Sequence, residues 1–426
     1  MQLSDLYKIY LQFPSIQTDT RKVQKGDLFF ALKGPNFNGN EFAKQALEKG
    51  AAYAVVDEAI DDITGRLIFV EDVLTSLQEL ARYHRETFSI PFIAITGSNG
   101  KTTTKELVSA VLSTHFKTAT TEGNLNNHIG VPLTLLSIHP DAQMAVIEMG
   151  ANHLHEIASY CEYALPNYGL ITNCGKAHLE GFGSEEGVKK GKGELFDFLR
   201  ANNGTAFIMS DYHYLQNMSK GICNVISYGI QSGTLQAKAN TVNGFLQVNF
   251  TQGFEMDCIQ TQLVGEYNLP NILAAVSIGI YFKVPAEKIK SAIENYAPTN
   301  SRSQLLKWKE NDVILDAYNA NPSSMKLAIE NFAKLNAAHK IVCIGGMKEL
   351  GNTSIEEHQQ LIHLLQESKW EQVVLVGGDF EHCKHDYLFF PTAVEAKVWL
   401  AAQNFKGRSI LIKGSRGIQM EQVLDL

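Results

Sequence analysis

The segment TGSNGKTTT, Thr96 to Thr104, is the strongest local signal of chemistry in this 426-residue sequence. It follows the apolar run Phe92 to Thr96 and precedes a stretch where Leu107, Val108, Val111 and Leu112 form a helical apolar stripe. Glycines between a buried strand and a helix turn backbone N–H groups toward an anion, at the positive end of the helix dipole. In such a loop Gly97, Ser98, Asn99 and Gly100 would cradle phosphates, Lys101 would reach the β and γ phosphates, and Thr102, with Thr103 beside it, would hold magnesium. The segment departs from G-x-x-x-x-G-K-S/T because Ile95 stands where the first Gly belongs, so a tight βα turn with an exposed lysine is the alternative reading.

Glu148 ends the run MAVIE and so lies at the carboxyl edge of a buried strand, where open α/β sheets place ligands. It is a magnesium candidate or else a solvated strand end. His178, in AHLEGFGS, follows the strand ending at Thr172 and is either at the same edge or a plain loop histidine. His153 and His155 have no ligand-spaced partners and read as surface residues. Lys189 and Lys190 follow Glu185 and Glu186 by four residues and read as a solvated helical face. Lys192 differs, because its i−4, i+3 and i+4 neighbours are Val188, Leu195 and Phe196. On that apolar face desolvation favours the neutral amine, with a snorkelling lysine as the alternative.

These residues need a scaffold of parallel strands. The near-continuous apolar runs IPFIAIT, MAVIEM, YGLIT and TAFIM suit strands buried on both faces, with helical patterns between them. Before them, the pattern predicts a small α/β unit: strand Leu28 to Leu32, loop Gly34 to Asn40, helix Glu41 to Lys49, strand Tyr53 to Val56, strand Leu67 to Val70 and helix Val73 to His84. Helices from Asn268 to about Tyr281 and Ala286 to Tyr296 precede Pro298, after which DVILDAY, KIVCIGG, QVVLVGG and SILIKGS again alternate with helices. The first of those helices carries Met325, Ala328, Ile329, Phe332 and Ala333 on one sheet-facing side. The expectation is an α/β protein of three domains, 1–86, 87–297 and 298–426: a small N-terminal unit, a central phosphate-loop domain with a parallel sheet, and a Rossmann-like third domain.

Composition narrows the function classes. With 45% hydrophobic and 19% charged residues the chain is an ordinary globular one. The 37 Lys and Arg against 45 Asp and Glu give a net charge of −8 without a basic cluster, which argues against nucleic acid as partner. The six cysteines form no C-x-x-C pair, and no run approaches the ~18 apolar residues of a membrane span. A cytoplasmic, monomeric protein acting on small ligands is expected.

Taken together, these pieces resemble the Mur ligases, ATP-dependent amide-bond enzymes of peptidoglycan assembly. TDTR (Thr18, Asp19, Thr20, Arg21) with GDLFFALKG, ending at Gly34, looks like that family's uridine-nucleotide domain. GNLNNHIGVPLTLL looks like its central domain, as do IEMGANH and AHLEGFGS, and the resemblance implies that Asn124, Asn126 and Asn127 bind substrate. GEYNLPN, Arg302, DAYNANP and KGSR resemble the adenosine-side and C-terminal motifs, in the family's order. The resemblance implies ATP at Lys101 and Thr102 and two magnesium ions near Thr102, Glu148, His178 and Lys192, the last as a carbamylated lysine. It also implies adenine beside Asn268 and Asn271, phosphates at Arg302, and ribose at Asp316 with Asn319 and Asn321 nearby. The implied reaction joins D-alanyl-D-alanine to a UDP-linked muramoyl tripeptide, since GNLNN favours that step and the DNPR motif of the preceding step is absent. The family often has His where Tyr267 and Asn40 stand. A folylpolyglutamate-type ligase and a non-catalytic ATP-driven switch are the rival readings.

Overall fold

The computed structural model describes residues 1–61, 65–298 and 301–424. The N-terminal part is a parallel four-stranded sheet in the order Ile16–Gln17, Leu28–Phe30, Tyr53–Val56, Leu67–Phe69. The second strand stops two residues earlier than its apolar run, because the Leu32 amide turns back onto Phe30 O and the chain enters the short hairpin Lys33–Gly34 and Phe37–Asn38. A 3-10 turn, Gly39–Phe42, takes up the start of the expected helix, leaving Ala43–Glu48 as its α-helical part; the Asn38 side chain caps the turn by accepting from the Asn40 amide.

Nine strands form the central sheet, in the order Cys258–Gln260, Phe245–Gln252, Leu235–Val242, Asn224–Gly229, Thr205–Met209, Tyr168–Ile171, Phe92–Thr96, Met144–Glu148, Thr118–Thr120. The four runs read from sequence are parallel neighbours and almost wholly buried, as strands with both faces covered must be. The far edge is a departure: Leu235–Val242 and Phe245–Gln252 make an antiparallel hairpin, joined to Cys258–Gln260. Its alternation, with Leu235, Ala237, Leu246 and Val248 buried, belongs to a sheet with one wet face. The helix Leu269–Tyr281 is buried nearly all round and packs against the helix Lys101–Ser113.

The third sheet runs Gln304–Trp308, Asn311–Asp316, Ser409–Lys413, Lys340–Gly345, Gln372–Val376, Leu388–Phe390. Only the first pair is antiparallel. Alternate residues feed two separate cores: Val342, Ile344, Leu375 and Leu411 face one side, and Ile341, Cys343, Val374 and Ile412 the other. By contrast, one apolar core runs unbroken from Leu6 to Ile293 through the first two parts. Arg85 reinforces that union: its guanidinium donates to Ala164 O and Leu165 O and lies 3.6 Å over the Phe92 ring. Among the described residues all six cysteines are free, and no helix is long and apolar enough to cross a membrane.

Candidate active site

The glycine loop leaves the buried strand Phe92–Thr96 and starts the helix Lys101–Ser113. Gly97 (φ 141°) and Gly100 (φ 78°) hold conformations and close approaches that a side chain would forbid: a Cβ at Gly97 would lie 2.0 Å from Thr172 Oγ1, and one at Gly100 2.6 Å from Asn271 Oδ1. The neighbouring strand end pins the loop. Ser98 N donates to Asn173 O (2.8 Å), Asn99 N to Asn173 Oδ1 (3.1 Å), Ser98 Oγ to Gly175 O (2.9 Å), and Thr172 Oγ1 to Asn99 O (2.6 Å). Lys101 folds over this loop, Nζ donating to Gly97 O (2.7 Å) and Ser98 O (3.2 Å). Burial pushes its ammonium below the usual lysine range, partly offset by Glu148. Thr103, next along the helix, is half-buried. A preorganised loop with a lysine at its mouth has the backbone geometry and charge that an anion requires.

Glu148 is buried at the adjacent strand end. Its Oε1 accepts from Thr102 Oγ1 (3.1 Å) and Asn126 Nδ2 (2.7 Å), whereas Oε2 is buried without a hydrogen-bond partner among the described residues. A carboxylate oxygen left bare beside a threonine hydroxyl is costly to the apoprotein and is what a hard, oxygen-seeking divalent cation requires. No group of three or more His, Cys, Asp or Glu among the described residues forms a ready metal cluster. Magnesium commonly completes its shell with substrate phosphates and water, so the Thr102–Glu148 pair fits it. The other two expected ligands have different partners here: His178 pairs through Nδ1 with Glu349 of the third sheet's domain, and Lys192 Nζ donates to Ala151 O (2.8 Å). His153 and His155 are exposed, as expected.

Lys192 lies on the helix Glu185–Ala201, which Ser184 caps. It is wholly buried with Val188, Leu195 and Phe196 and sits 5.0 Å from the Phe182 ring centre. Desolvation, with a smaller push from the Lys101 charge, lowers its ammonium to about 7. This side chain does not snorkel. That shift brings the neutral amine, the form that reacts with carbon dioxide, into reach at physiological pH.

In the N-terminal part, TDTR follows the strand Ile16–Gln17, on the carboxyl edge of its sheet. Arg21 is exposed and forked onto Asp19 (Nη2 to Oδ2, 2.8 Å), which holds the Asp19 carboxyl near 2. Thr18 N donates to Gln17 Oε1 and Lys49 Nζ to Thr20 O. Gly34 lies under the Phe37 ring. Asn40 is buried, bonded to Asn38 and to both the amide and carboxylate of Asp57, so it fastens the loop. In GNLNN, Asn126 reaches Glu148, Asn127 accepts from Ile129 N and Gly130 N at the start of the helix Gly130–Leu136, and Asn124 is exposed.

In the segment GEYNLPN, Asn268 and Asn271 are buried in a chain behind the loop: Thr104 Oγ1 to Asn271 Oδ1 (3.1 Å), Asn271 Nδ2 to Asn268 Oδ1 (2.9 Å), Asn268 Nδ2 to Val264 O (2.8 Å). Tyr267 shares a hydrogen bond with Ser303 (2.8 Å). A cavity of about 400 Å³ opens on the flank of this segment, lined by Gly265, Glu266, Tyr267, Ile314, Ala328 and Phe332 among others, and not by the glycine loop. Arg302 lies 3.6 Å over the Tyr318 ring. Asp316 is engaged by Lys413 Nζ (2.6 Å) and Ser303 N (3.1 Å), and Asn319 Oδ1 accepts from Ala320 N. Asn321, expected near the ribose, caps the helix Pro322–Lys334 and donates to Asn99 Oδ1 of the loop (2.7 Å), a contact that the sequence did not announce. Sequence reasoning missed Lys176, which bonds Ser323 and Glu357 of the third domain.

The site can therefore bind a nucleotide triphosphate with a divalent cation, enclosed by a third domain. Comparison with known proteins agrees. The "Mur ligase family, catalytic domain" matches residues 12–85, the "Mur ligase middle domain" residues 95–279, and the "Mur ligase, glutamate ligase domain" residues 301–416. The UDP-N-acetylmuramoyl-tripeptide–D-alanyl-D-alanine ligase of Bacillus subtilis (strain 168) is 33% identical over 428 residues, covering 96% of this chain and 92% of that protein. The ligase of the same description from Escherichia coli (strain K12) is 33% identical, with 99% and 96% covered. Among solved structures, the MurF ligase of Thermotoga maritima in complex with ADP superposes with a TM-score of 0.88 at 27% identity, covering 97% of this chain and 96% of that one.

Proposed function

The chain belongs to the Mur ligase family, and from that premise we infer that it joins D-alanyl-D-alanine to UDP-N-acetylmuramoyl-tripeptide with ATP, releasing ADP and phosphate and yielding the pentapeptide precursor of peptidoglycan. The terminal carboxylate of the tripeptide attacks the γ-phosphorus, ADP leaves, and an acyl phosphate results; the dipeptide amine then attacks the acyl carbon and phosphate departs. Phosphoryl transfer of this kind asks the protein for positioning and charge stabilisation, without a protein nucleophile.

The observation that carries this reading is the preorganised glycine loop beside a buried carboxylate with an unbonded oxygen, in a chain matched along its length by dipeptide-adding ligases. We assign Gly97 to Thr103 to the ATP phosphates, with Lys101 facing the charge that gathers on the transferring group. Thr102 and Glu148 would hold magnesium, which supplies charge neutralisation on the phosphates, and Asn126 keeps the Glu148 carboxylate aimed. His178 is assigned beside Thr102 and Glu148, and Lys192, as its carbamate, to a second ion, on the strength of its buried amine and lowered ammonium. Thr18 to Arg21 and Gly34, on residues 1–86, take the uridine end; Asn268, Asn271, Asp316 and Asn319 surround the adenosine, and Arg302 takes the phosphates. Residues 298–426 close over 87–297 to keep water from the acyl phosphate. The folate-type rival has no counterpart of the first domain, which the relatives' coverage includes. The test is ADP release from ATP with the UDP-muropeptide, with and without D-alanyl-D-alanine. Ligase action predicts sustained release only with both, and release indifferent to the peptide substrates would favour the switch.

A further inference from the structure

The third domain touches the glycine loop through few groups. Its two apolar cores are separate from the core shared by the first two parts, with Val264 the buried residue of the central part that joins them. A unit attached by a thin, largely polar contact is the one free to move. Around the loop that contact comprises Asn321 to Asn99, Lys176 N to Ser323 Oγ (2.9 Å), Lys176 Nζ to Glu357 Oε1 (2.8 Å), and His178 with Glu349.

Lys176 stands apart in this set. Both its amide and its ammonium bond the third domain, and the residues just before it hold the phosphate loop: Asn173 through Ser98 N and Asn99 N, Gly175 through Ser98 Oγ. The four residues 173–176 thus run from the loop to the third domain without a break. Glu357 is only 7% exposed, so removing Lys176 strands a desolvated carboxylate at the closed interface. Glu357 is also firmly mounted: the next residue, His358, accepts from Met347 N through Nε2 (3.0 Å) and meets Ser354 O through Nδ1 (2.7 Å), fixing the helix to the segment that carries Glu349. Lys176 makes no contact with the side chains assigned to ATP or magnesium among the bonds described, so its effect must pass through the domain contact.

We propose that Lys176 and Glu357 are positioning residues, a latch that holds the third domain closed over the acyl phosphate. This rests on the ligase reading above. An open domain admits water, which attacks the acyl phosphate in place of the amine and returns the free carboxylate and phosphate, so ATP is spent without an amide forming. The measurement is the ratio of ADP released to amide formed, in one sample, for wild type, Lys176→Met, Glu357→Gln and the double variant. Wild type gives a ratio near one. Each single substitution raises it at least about threefold, and the double variant rises no higher than the larger single effect because the two groups act through each other. Glu357→Gln keeps the side chain's shape, so a folding defect in Lys176→Met would not remove the test. Ratios that stay at one in the variants, whatever their turnover, overturn the latch, as do effects that multiply in the double variant. A wild type that forms no amide would instead sink the ligase reading itself.

Discussion

Replacing Lys192 with methionine should abolish activity and, at pH 7, stabilise the fold. The buried ammonium titrates at about 7 against 10.5 for a free lysine. At ~1.36 kcal/mol for each of those units, holding this side chain neutral costs roughly 4 to 5 kcal/mol at pH 7. Methionine fills a similar volume without that cost. It leaves Ala151 O without the Nζ donor at 2.8 Å, a loss of about 1 to 2 kcal/mol, so the net gain is about 3 kcal/mol. The sign with pH follows from the lowered value: between 7 and 10.5 the unfolded chain binds the proton and the folded one does not, so wild-type stability climbs with pH. The variant lacks that climb, and its advantage should shrink to nothing near pH 10. Urea denaturation of both proteins across this range, in buffer freed of carbon dioxide, measures it. A variant no more stable at pH 7, or an advantage that does not change with pH, would refute the buried-neutral-amine argument and with it the ground for carbamylation.

Lys101→Ala should lower turnover by ~10² to 10³ while circular dichroism stays that of the wild type, since the ammonium folded over the loop, 2.7 Å from Gly97 O, is lost. Glu148→Gln should raise the magnesium needed for half-maximal activity about 10- to 100-fold, and weaken magnesium-dependent binding of ATP measured by calorimetry, because the bare Oε2 becomes an amide or loses its charge. Arg21→Ala should raise KM for the UDP-muropeptide and leave KM for ATP alone, because its exposed guanidinium lies on the first domain; an unchanged KM for the muropeptide removes Arg21 from the site.

What could be read from sequence was what local chemistry dictates. Gly97, Gly100 and Lys101 announce themselves because the loop needs those backbone conformations at that spacing, and the burial of Lys192 follows from helical geometry with Val188, Leu195 and Phe196. Contacts made by folding could not be read. Asn126 finds Glu148 across 22 residues, Lys413 engages Asp316 across 97, and Lys176 reaches Glu357 across 181. Two signals were present and went unused. Asn243-Gly244, with φ of 52° and 84°, is a two-residue hairpin turn between alternating segments. Asn321-Pro322-Ser323-Ser324 is a helix start with its own cap. The pattern at Asn40 and Tyr267 takes its meaning only from three-dimensional partners, Asp57 and Ser303.

The acyl phosphate is the center of the account, and oxygen labelling addresses it most directly. UDP-muropeptide carrying ¹⁸O in its terminal carboxylate, turned over with ATP and D-alanyl-D-alanine, should deliver one labelled oxygen to the released phosphate for each amide formed, because the carboxylate oxygen that attacks phosphorus leaves with it. Amide that accumulates with phosphate free of label, the displaced carboxylate oxygen appearing in water instead, would contradict the mechanism.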